Sequence, residues 1–219
     1  MKYRLALFDM DGTVLDTLQD LADATNAVMR KHGFPTHSVE AVRQFVGNGA
    51  RVLIEKAVPA GTDPAQIDTV LGDFKEYYGK HSADATKPYD GVLDCLRALR
   101  EAGVCTAVVS NKPDFAVKAL TMQYFKGLFD AAIGDREGVR KKPAPDSVFE
   151  VMEALDVTEE EAVYIGDSDV DVQTAQNAGI DGIFVDWGFR SEACLREAGA
   201  TVIARSPAEI TALILQSGD

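Results

Sequence analysis

Residues 4–13 read RLALFDMDGT, a short apolar run that ends in two aspartates. The run Arg4–Phe8 predicts a strand buried on both faces, because such strands consist of a few consecutive apolar residues. Gly12 lets the backbone turn sharply beyond the strand. Asp9 and Asp11 would then lie over one small reaction space, where one carboxylate attacks and the other transfers protons. This stretch therefore predicts both the first strand of the fold and a pair of reactive acids.

The sequence that follows divides into an all-helical part and an alternating part. Residues 16–82 carry apolar side chains at helical spacing, and Thr17 with Asp20 three residues later predicts a capping box at the first helix. From residue 83 onward helices alternate with short apolar runs, which predict strands at Val104–Val109, Ala131–Ile133, Ala162–Ile165, Gly182–Val185 and Thr201–Ile203. Such alternation predicts an α/β fold with a doubly wound parallel sheet, similar to a Rossmann core. We expect residues 1–15 and 83–219 to form this core and residues 16–82 to form an inserted helical domain.

Composition and charge limit the partners that the chain can bind. The formal net charge of −13 over 219 residues repels nucleic acids and anionic membranes. No segment approaches the roughly 20 apolar residues of a membrane-spanning helix, and the apolar run before Asp9 is too short for a secretory signal. The three cysteines are scattered without a metal or disulfide pattern, as expected of reduced thiols. We expect a cytoplasmic protein, a monomer or weak homodimer, that binds neither nucleic acid nor membranes.

Four polar groups fall at predicted strand ends or in a loop that leads to a helix. They are Asp9–Thr13, Ser110–Lys112 after the strand VCTAVV, Lys141–Pro145, and Gly166–Asp171 after the strand AVYI. Taken singly, each has an ordinary explanation as a turn, a helix cap or a solvated lysine. Since the carboxyl ends of parallel strands meet at one edge of the sheet, the four groups together predict a single ligand site there.

The four groups resemble the motifs of the haloacid dehalogenase superfamily of phosphatases. The match consists of DxDGT at Asp9–Thr13, a serine after the second core strand, KPxP at Lys142–Pro145 and GDSxxD at Gly166–Asp171. The resemblance implies that Asp9 is the nucleophile that becomes an aspartyl phosphate and that Asp11 is the general acid and base. It implies that the insertion is a cap closing on a small phosphorylated metabolite. The phosphate site that it implies consists of Ser110, Lys142, Asn111, Gly12 and Thr13.

The resemblance also implies a Mg²⁺ ion held by Asp9, the backbone carbonyl of Asp11 and Asp167, with Asp171 assisting through water or from a second layer. Electrostatics supports a cation at this position independently. A carboxylate near 4 Å from a phosphate charge is repelled by roughly 4 kcal/mol per charge pair at an effective dielectric constant of about 20. A divalent ion together with Lys142 reverses the sign of that interaction. Ligands that are all oxygen favour Mg²⁺ over zinc.

Substrate choice is expected to lie in the insertion, where Phe45–Arg51 reads FVGNGAR. Asn48 between two glycines predicts a tight turn that opens a helix, whose free N–H groups attract an anion, and Arg51 could hold a carboxylate. A plain turn between helices with a solvated arginine explains the same residues equally well. The segment resembles the cap of phosphoglycolate phosphatases. Asp186–Phe189 also resembles that subgroup, and packing or a contact between core and cap is expected of it. This resemblance implies 2-phosphoglycolate as the substrate.

Other functions stay open at this point. A phosphomutase acting on β-glucose phosphates would use the same Asp9 but return the phosphoryl group to its substrate. Related caps act on pyrophosphate, sugar phosphates or nucleotides. A phospho-accepting receiver domain also combines an aspartate, Mg²⁺, a hydroxyl residue and a lysine, but it is shorter and has no second acid at the position of Asp11. The insertion of roughly 65 residues favours an enzyme over a receiver, because a purposeless insert of that size is uncommon.

Overall fold

A central parallel sheet organises the structure, a computed structural model that describes residues 2–216. The strands, in chain order, are β1 (Leu5–Phe8), β2 (Leu15–Asp16), β3 (Lys87–Pro88), β4 (Cys105–Pro113), β5 (Ala131–Asp135), β6 (Ala162–Gly166), β7 (Asp181–Val185) and β8 (Ile203–Ala204). Six of them form the sheet in the order β5-β4-β1-β6-β7-β8, with every neighbouring pair parallel, and β2 pairs with β3 in a separate antiparallel ribbon. The chain builds outward from β1 to β5 and then returns to the other side of β1. This order confirms the predicted doubly wound fold.

Ten α-helices accompany the sheet in the part of the chain that the structure describes. They are α1 (Leu18–Lys31), α2 (Val39–Phe45), α3 (Gly49–Ala57), α4 (Pro64–His81), α5 (Val92–Glu101), α6 (Asp114–Tyr124), α7 (Asp146–Ala154), α8 (Asp169–Ala178), α9 (Glu192–Glu197) and α10 (Pro207–Gln216). Helices α5, α6 and α10 pack on one face of the sheet, and α7, α8 and α9 pack on the other. None of these helices is both long and apolar enough to cross a membrane.

Strand β1 shows why the sheet needs helices on both faces. Ala6 and Phe8 belong to the apolar cluster with α5, α6 and α10, whereas Leu5 and Leu7 belong to the cluster with α7, α8 and α9. No side chain of the four is more than 2% exposed. Alternate side chains of a strand point to opposite faces, so burial on both faces explains the uninterrupted apolar run in the sequence.

Helices α1–α4, called the cap helices below, build an apolar cluster of their own. Leu21 and Val28 of α1 pack in it against Phe74 of α4, and helical spacing of these residues explains why the sequence pattern is readable. Phe189, which comes from the core, also joins the cluster, so the cap helices lie against the core. The division into residues 1–15 with 83–219 and residues 16–82 is compatible with this packing and stays a prediction.

The predicted capping box at Thr17 and Asp20 is wrong. Thr17 stands at the N-cap of α1, but its hydroxyl makes no capping bond and donates to the carboxylate of Asp11 at 2.8 Å. Asp20 is buried and accepts hydrogen bonds of 2.8 to 3.1 Å from the backbone N–H groups of Ala85 and Thr86. Both side chains thus serve the junction between the core and the cap helices. Asp20 pairs with Ala85 and Thr86 rather than capping α1, because buried backbone N–H groups without a partner would cost more free energy than a local cap contributes.

Candidate active site

Three neighbouring strands bring their carboxyl ends to one cavity. In the order β4-β1-β6, Ser110 in the last part of β4 lies beside Asp9 and Asp167, which directly follow β1 and β6. Asp11 and Asn111 line the same cavity, which has a volume of about 600 Å³, part of it open to solvent, between the sheet edge and the cap helices. The structure therefore gathers the predicted acids and the predicted phosphate-binding residues of β4 at one point.

Strand β4 extends further than the sequence predicts. We expected Ser110 and Asn111 to follow a strand ending at Val109, but the strand continues to Pro113. Its pairing with β5 is irregular between Val109 and Pro113 and resumes beyond that point. Such an irregularity bends a strand and re-aims its side chains. Here it keeps the backbone extended while Ser110 and Asn111 face the cavity.

Asp9 lies directly beyond the last residue of β1, and its own N–H donates to the carbonyl of Ile165 in β6 at 2.8 Å. Its carboxylate oxygen Oδ1 lies 2.9 Å from Nζ of Lys142. Burial raises the pKa of Asp9 to about 6, although the Lys142 ammonium opposes that shift. The carboxylate is thus presented to the cavity with a cation beside it, which stabilises the ionised form that a nucleophile requires.

Lys142 is held from three sides. Its Nζ atom donates to Oδ1 of Asp171 at 2.8 Å and to the hydroxyl of Tyr164 at 2.9 Å, in addition to its contact with Asp9. Burial alone would lower the pKa of Lys142, but the carboxylates of Asp171 and Asp9 raise it well above the ordinary value. Lys142 is therefore favoured in its charged form and is held beside Asp9 by these contacts.

Asp171 connects Lys142 to the start of α8. Its Oδ2 atom accepts hydrogen bonds from the hydroxyl of Ser168 at 2.6 Å and from the backbone N–H groups of Ser168 and Asp167 at 3.0 and 3.2 Å. Ser168 in turn accepts from the N–H of Asp171, which completes a capping box at α8. Both carboxylate oxygens of Asp171 thus have protein partners, and through these contacts Asp171 holds Lys142 and the start of α8 in place.

Asp167 sits in a space that only glycine neighbours leave open. A Cβ atom on Gly12 would lie 2.3 Å from Oδ2 of Asp167, and one on Gly188 would lie 2.2 Å from its Cβ atom. The hydroxyl of Thr13 donates to Oδ1 at 3.0 Å and the N–H of Phe189 donates to Oδ2 at 2.7 Å. Gly12 and Thr13, predicted to bind phosphate, therefore contact Asp167 in the structure.

The segment with Trp187, Gly188 and Phe189 links the core to the cap helices. Trp187 packs against the core cluster and donates from its indole nitrogen to the carbonyl of Thr13 at 3.2 Å. Phe189 holds Asp167 with its N–H group and places its ring in the cap cluster. The expectation of packing and of a contact between core and cap is met, but the backbone contact to Asp167 has no signature in the sequence.

Three buried carboxylates could hold a metal ion. Asp9, Asp167 and Asp171 each place one oxygen within 4.8 Å of the others. Burial raises the pKa of Asp167 well above its ordinary value, and the carboxylates of Asp171 and Asp9 raise it further. Such crowding of buried acids is relieved by a cation, and an all-oxygen donor set suits a hard divalent ion. The residues present therefore fit a metal of that type.

Asp11 has two partners that the sequence did not reveal. Its Oδ1 atom accepts hydrogen bonds from the hydroxyl of Thr17 at 2.8 Å and from Nζ of Lys112 at 2.7 Å. Lys112 also donates to the hydroxyl of Tyr78 in α4 at 2.6 Å and is almost completely buried. Burial alone would lower the pKa of Lys112, but Asp11 raises it above the ordinary value. In the sequence, the only sign that Lys112 belongs to the site is that it directly follows Ser110 and Asn111.

Ser110 and Asn111 have different surroundings. Ser110 is 6% exposed, and its hydroxyl accepts a long hydrogen bond of 3.4 Å from the N–H of Lys112, which leaves its own proton for a ligand. The amide nitrogen of Asn111 donates to the carbonyls of Gly47 at 3.1 Å and Lys142 at 2.9 Å. Asn111 thus ties the loop before α3 to the loop that carries Lys142.

Two predicted substrate residues of the cap helices lie elsewhere. Arg51 projects from α3 with its side chain 46% exposed, and its guanidinium pairs with Glu55 and Asp68. Asn48 is the N-cap residue of α3 and makes no capping bond with its side chain. Among the described residues, the cavity is lined at this point by Gly47, Gly49 and Ala50 instead. The structure does not bring Arg51 or Asn48 to the acids of the core.

Comparisons with known proteins identify the family of the chain and several similar proteins. A family model described as haloacid dehalogenase-like hydrolase matches residues 6–185. The chain is 38% identical over 192 residues to the phosphoglycolate phosphatase of Pseudomonas putida (strain KT2440), with 85% of this chain and 70% of that protein covered. It is 32% identical to the phosphoglycolate phosphatase of Psychrobacter arcticus, with 92% and 91% covered. A crystal structure from Lactobacillus delbrueckii subsp. bulgaricus, provisionally named a phosphoglycolate phosphatase, matches with a TM-score of 0.93 at 40% identity over 98% of this chain and 99% of that one.

Proposed function

The chain belongs to the haloacid dehalogenase-like hydrolase family and is a phosphatase, and from this premise we propose that it hydrolyses 2-phosphoglycolate with the help of Mg²⁺. The observation that carries the proposal is the pairing of Asp9, which lines the cavity, with the buried Lys142 next to it. A buried carboxylate held 2.9 Å from a fixed ammonium is oriented for attack on a phosphorus atom. Turns and helix caps do not require such an arrangement.

We assign the metal site to Asp9 and Asp167, with Asp171 behind them and the backbone carbonyl of Asp11 as a further ligand. When bound, Mg²⁺ would neutralise charge on the phosphoryl oxygens that approach these carboxylates. The crowding of buried acids and the glycine neighbours of Asp167 support this assignment. Phe189 and Thr13 keep Asp167 in place through their hydrogen bonds, which restricts the directions that its oxygens can take.

The reaction would proceed in two displacements. A carboxylate oxygen of Asp9 attacks phosphorus, the bond from phosphorus to the ester oxygen breaks, and that oxygen takes a proton from Asp11. The product alcohol leaves, and Asp9 carries the phosphoryl group as an acyl phosphate. A water molecule then attacks phosphorus, Asp11 takes its proton, and the bond to Asp9 breaks with release of inorganic phosphate. Lys142 balances negative charge beside Asp9 throughout, and the Ser110 hydroxyl donates to a phosphoryl oxygen.

The choice of 2-phosphoglycolate rests on the relatives and on the cavity. Curated relatives with 32 to 38% identity carry the name phosphoglycolate phosphatase. The cavity is lined by apolar side chains of the cap helices and by two basic side chains besides its acids, which suits a short leaving group that carries its own negative charge. The phosphomutase, pyrophosphatase and nucleotidase alternatives have no observation in their favour here, and the receiver alternative conflicts with the family of hydrolases to which the chain belongs.

The decisive experiment is phosphate release over a panel of metabolites in the presence of Mg²⁺. The panel contains 2-phosphoglycolate, pyrophosphate, β-glucose 1-phosphate, glucose 6-phosphate and a nucleoside monophosphate. We expect the highest kcat/KM for 2-phosphoglycolate. A higher value for any other compound would contradict the proposed substrate, and isomerised sugar phosphate without net phosphate release would identify a mutase.

We also propose that the protein acts in the cytoplasm as a monomer or weak homodimer. The free state of all three cysteines among the described residues supports a reducing compartment. Light scattering coupled to gel filtration tests the assembly state, and fractionation of the source cells tests the compartment. A stable higher oligomer or recovery in an extracytoplasmic fraction would contradict the respective statement.

A further inference from the structure

The side of the cavity that the cap helices form is mostly apolar. Leu21, Val46, Leu53 and Phe74 of the cap helices and the loop after α2 line it. An ionised carboxylate is strongly disfavoured among such side chains unless a cation or hydrogen-bond donors meet it. If the leaving group is charged, the cavity must offer a cation or hydrogen-bond donors to that charge.

Two basic side chains line the cavity within residues 2–216, namely Lys112 and Arg190. Arg190 is engaged with the chain itself. It donates to the carbonyls of Arg43 at 3.0 Å and Val46 at 2.7 Å, and its Nε atom lies 3.6 Å from a carboxylate oxygen of Asp169. These contacts tie the end of α2 to the core, so Arg190 already has a structural task.

Lys112 reaches the cavity from β4 and meets Tyr78 of α4. An ammonium has three N–H groups, and Asp11 and Tyr78 account for two of them. Tyr78 accepts the bond from Lys112, and burial raises the pKa of Tyr78 to about 12, so its hydroxyl keeps a proton that it can donate. Lys112 and Tyr78 therefore offer one N–H and one O–H group from atoms 2.6 Å apart. That spacing matches the two oxygens of one carboxylate.

We propose that Lys112 and Tyr78 together bind the carboxylate of the leaving group, Lys112 from the core and Tyr78 from the cap helices. The inference rests on the proposed function, since it assigns the residues that recognise the carboxylate of 2-phosphoglycolate. The carboxylate fills the third N–H position of Lys112 and takes the free proton of Tyr78. Because α4 supplies Tyr78, the pair is complete only when the cap helices lie against the core.

A neutral leaving group does not pair with Lys112 and Tyr78 as a carboxylate does, so these two donors lose a charged hydrogen-bond partner. Buried donors that lose their partner discriminate strongly between substrates that differ in one polar group. The matched comparison is 2-phosphoglycolate against 2-hydroxyethyl phosphate, which have the same chain length and differ in whether the far end is a carboxylate or a hydroxymethyl group. The specificity ratio, defined as kcat/KM for the first divided by kcat/KM for the second, measures carboxylate recognition separately from phosphoryl transfer.

The experiment measures this ratio in wild-type protein and in four variants. We expect Lys112→Met to lower the ratio by at least about tenfold and Tyr78→Phe by about three- to tenfold, since each removes a hydrogen bond to a charged group. Lys112→Arg should retain part of the ratio because it keeps the charge. Lys118→Met, which removes an exposed lysine from α6, is the matched control and should leave the ratio unchanged.

Equal losses on both substrates in Lys112→Met would overturn the inference, because Lys112 would then act only by orienting Asp11. Should Lys112→Met be inactive, calorimetry on Asp9→Asn and on the double variant with Lys112→Met decides the same question from the affinities for the two compounds. Failure of the proposed function would appear differently, as wild-type protein that releases no phosphate from 2-phosphoglycolate. Wild-type protein that hydrolyses both compounds equally well would overturn the inference alone.

Discussion

The core side and the cap side of the cavity hold their side chains in different ways. On the core side, Asp9 and Asp167 are buried; an ion pair with Lys142 holds Asp9, and a hydrogen bond from the N–H group of Phe189 holds Asp167. On the cap side, apolar side chains such as Leu53 and Phe74 contribute shape, and Tyr78 contributes one hydroxyl. The phosphoryl group is the same in every phosphate ester, whereas the leaving group differs. The charged side chains of the core therefore suit phosphoryl transfer, which is the same for every substrate. The mostly apolar side chains of the cap helices suit the selection of the leaving group.

The largest effect on activity is expected from Asp9→Asn on the core side of the cavity. An amide oxygen is a poor nucleophile and no longer balances the charge of Lys142, so we expect kcat to fall on the order of 10⁴-fold or more. Phosphate release from 2-phosphoglycolate and from p-nitrophenyl phosphate measures the loss. Asp181→Asn changes an exposed aspartate at the amino end of β7 and should keep full activity. Substantial turnover by Asp9→Asn would remove Asp9 from the role of nucleophile.

Metal removal tests the carboxylates of the core side without a mutation. We expect EDTA to abolish phosphate release and added Mg²⁺ to restore it. Because a ligand that binds only the folded state stabilises it, Mg²⁺ should also raise the Tm of the wild-type protein. In Asp167→Asn the rise in Tm should shrink or vanish, which separates metal binding from turnover. Full activity after exhaustive chelation would contradict a metal-dependent mechanism.

A pair of glycine substitutions compares the packed surroundings of Asp167 with an exposed position on α4. In Gly188→Ala the new Cβ atom would lie 2.2 Å from Cβ of Asp167, so the carboxylate must shift. We expect the Mg²⁺ concentration for half-maximal activity to rise by about 10- to 100-fold, the range seen when groups that orient metal ligands are disturbed. In Gly72→Ala on α4, a Cβ atom meets nothing within 4 Å. That variant should keep its metal response and gain up to about 1 kcal/mol in the free energy of unfolding, because alanine favours a helix.

Urea titration measures the stability of both glycine variants. The contrast between the tightly packed surroundings of Asp167 and an exposed position of the cap helices would fail if Gly188→Ala bound Mg²⁺ normally. It would also fail if Gly72→Ala lost activity as severely as Gly188→Ala.

The smallest effect is expected at Arg51. From the sequence, Arg51 could hold a carboxylate or be a solvated arginine, and in the structure its guanidinium is exposed and pairs with Glu55 and Asp68. We expect Arg51→Ala to change kcat/KM by less than about twofold on both 2-phosphoglycolate and p-nitrophenyl phosphate, since exposed pairs contribute little. A loss confined to 2-phosphoglycolate would restore the prediction from sequence and show that α3 reorients when substrate binds.

Local patterns explain how far the sequence could lead. Burial on both faces makes β1 an uninterrupted apolar run, and the polar residues that end such runs mark the carboxyl edge of a parallel sheet. Asp9, Ser110 and Asp167 could therefore be assigned to one edge before the structure was known. Local reasoning failed at Thr17 and Asp20, where a capping box was a reasonable prediction but both side chains have partners outside the helix.

The sequence by itself determined the approximate position of the six strands of the parallel sheet, the helices and the edge of the sheet at which the acids collect, because periodicity and strand ends depend on neighbours along the chain. It did not predict the ribbon of β2 and β3, which pairs residues far apart in the chain. Only the tertiary structure decided which lysine meets which acid. Lys112 contacts Asp11 from 101 positions away and Tyr78 from 34 positions away, and Phe189 reaches Asp167 across 22. A lysine in a sequence is normally a solvated side chain, and it becomes a buried site residue only when folding supplies partners for its charge. Those partners come from packing between the core and the cap helices, which local sequence patterns do not predict.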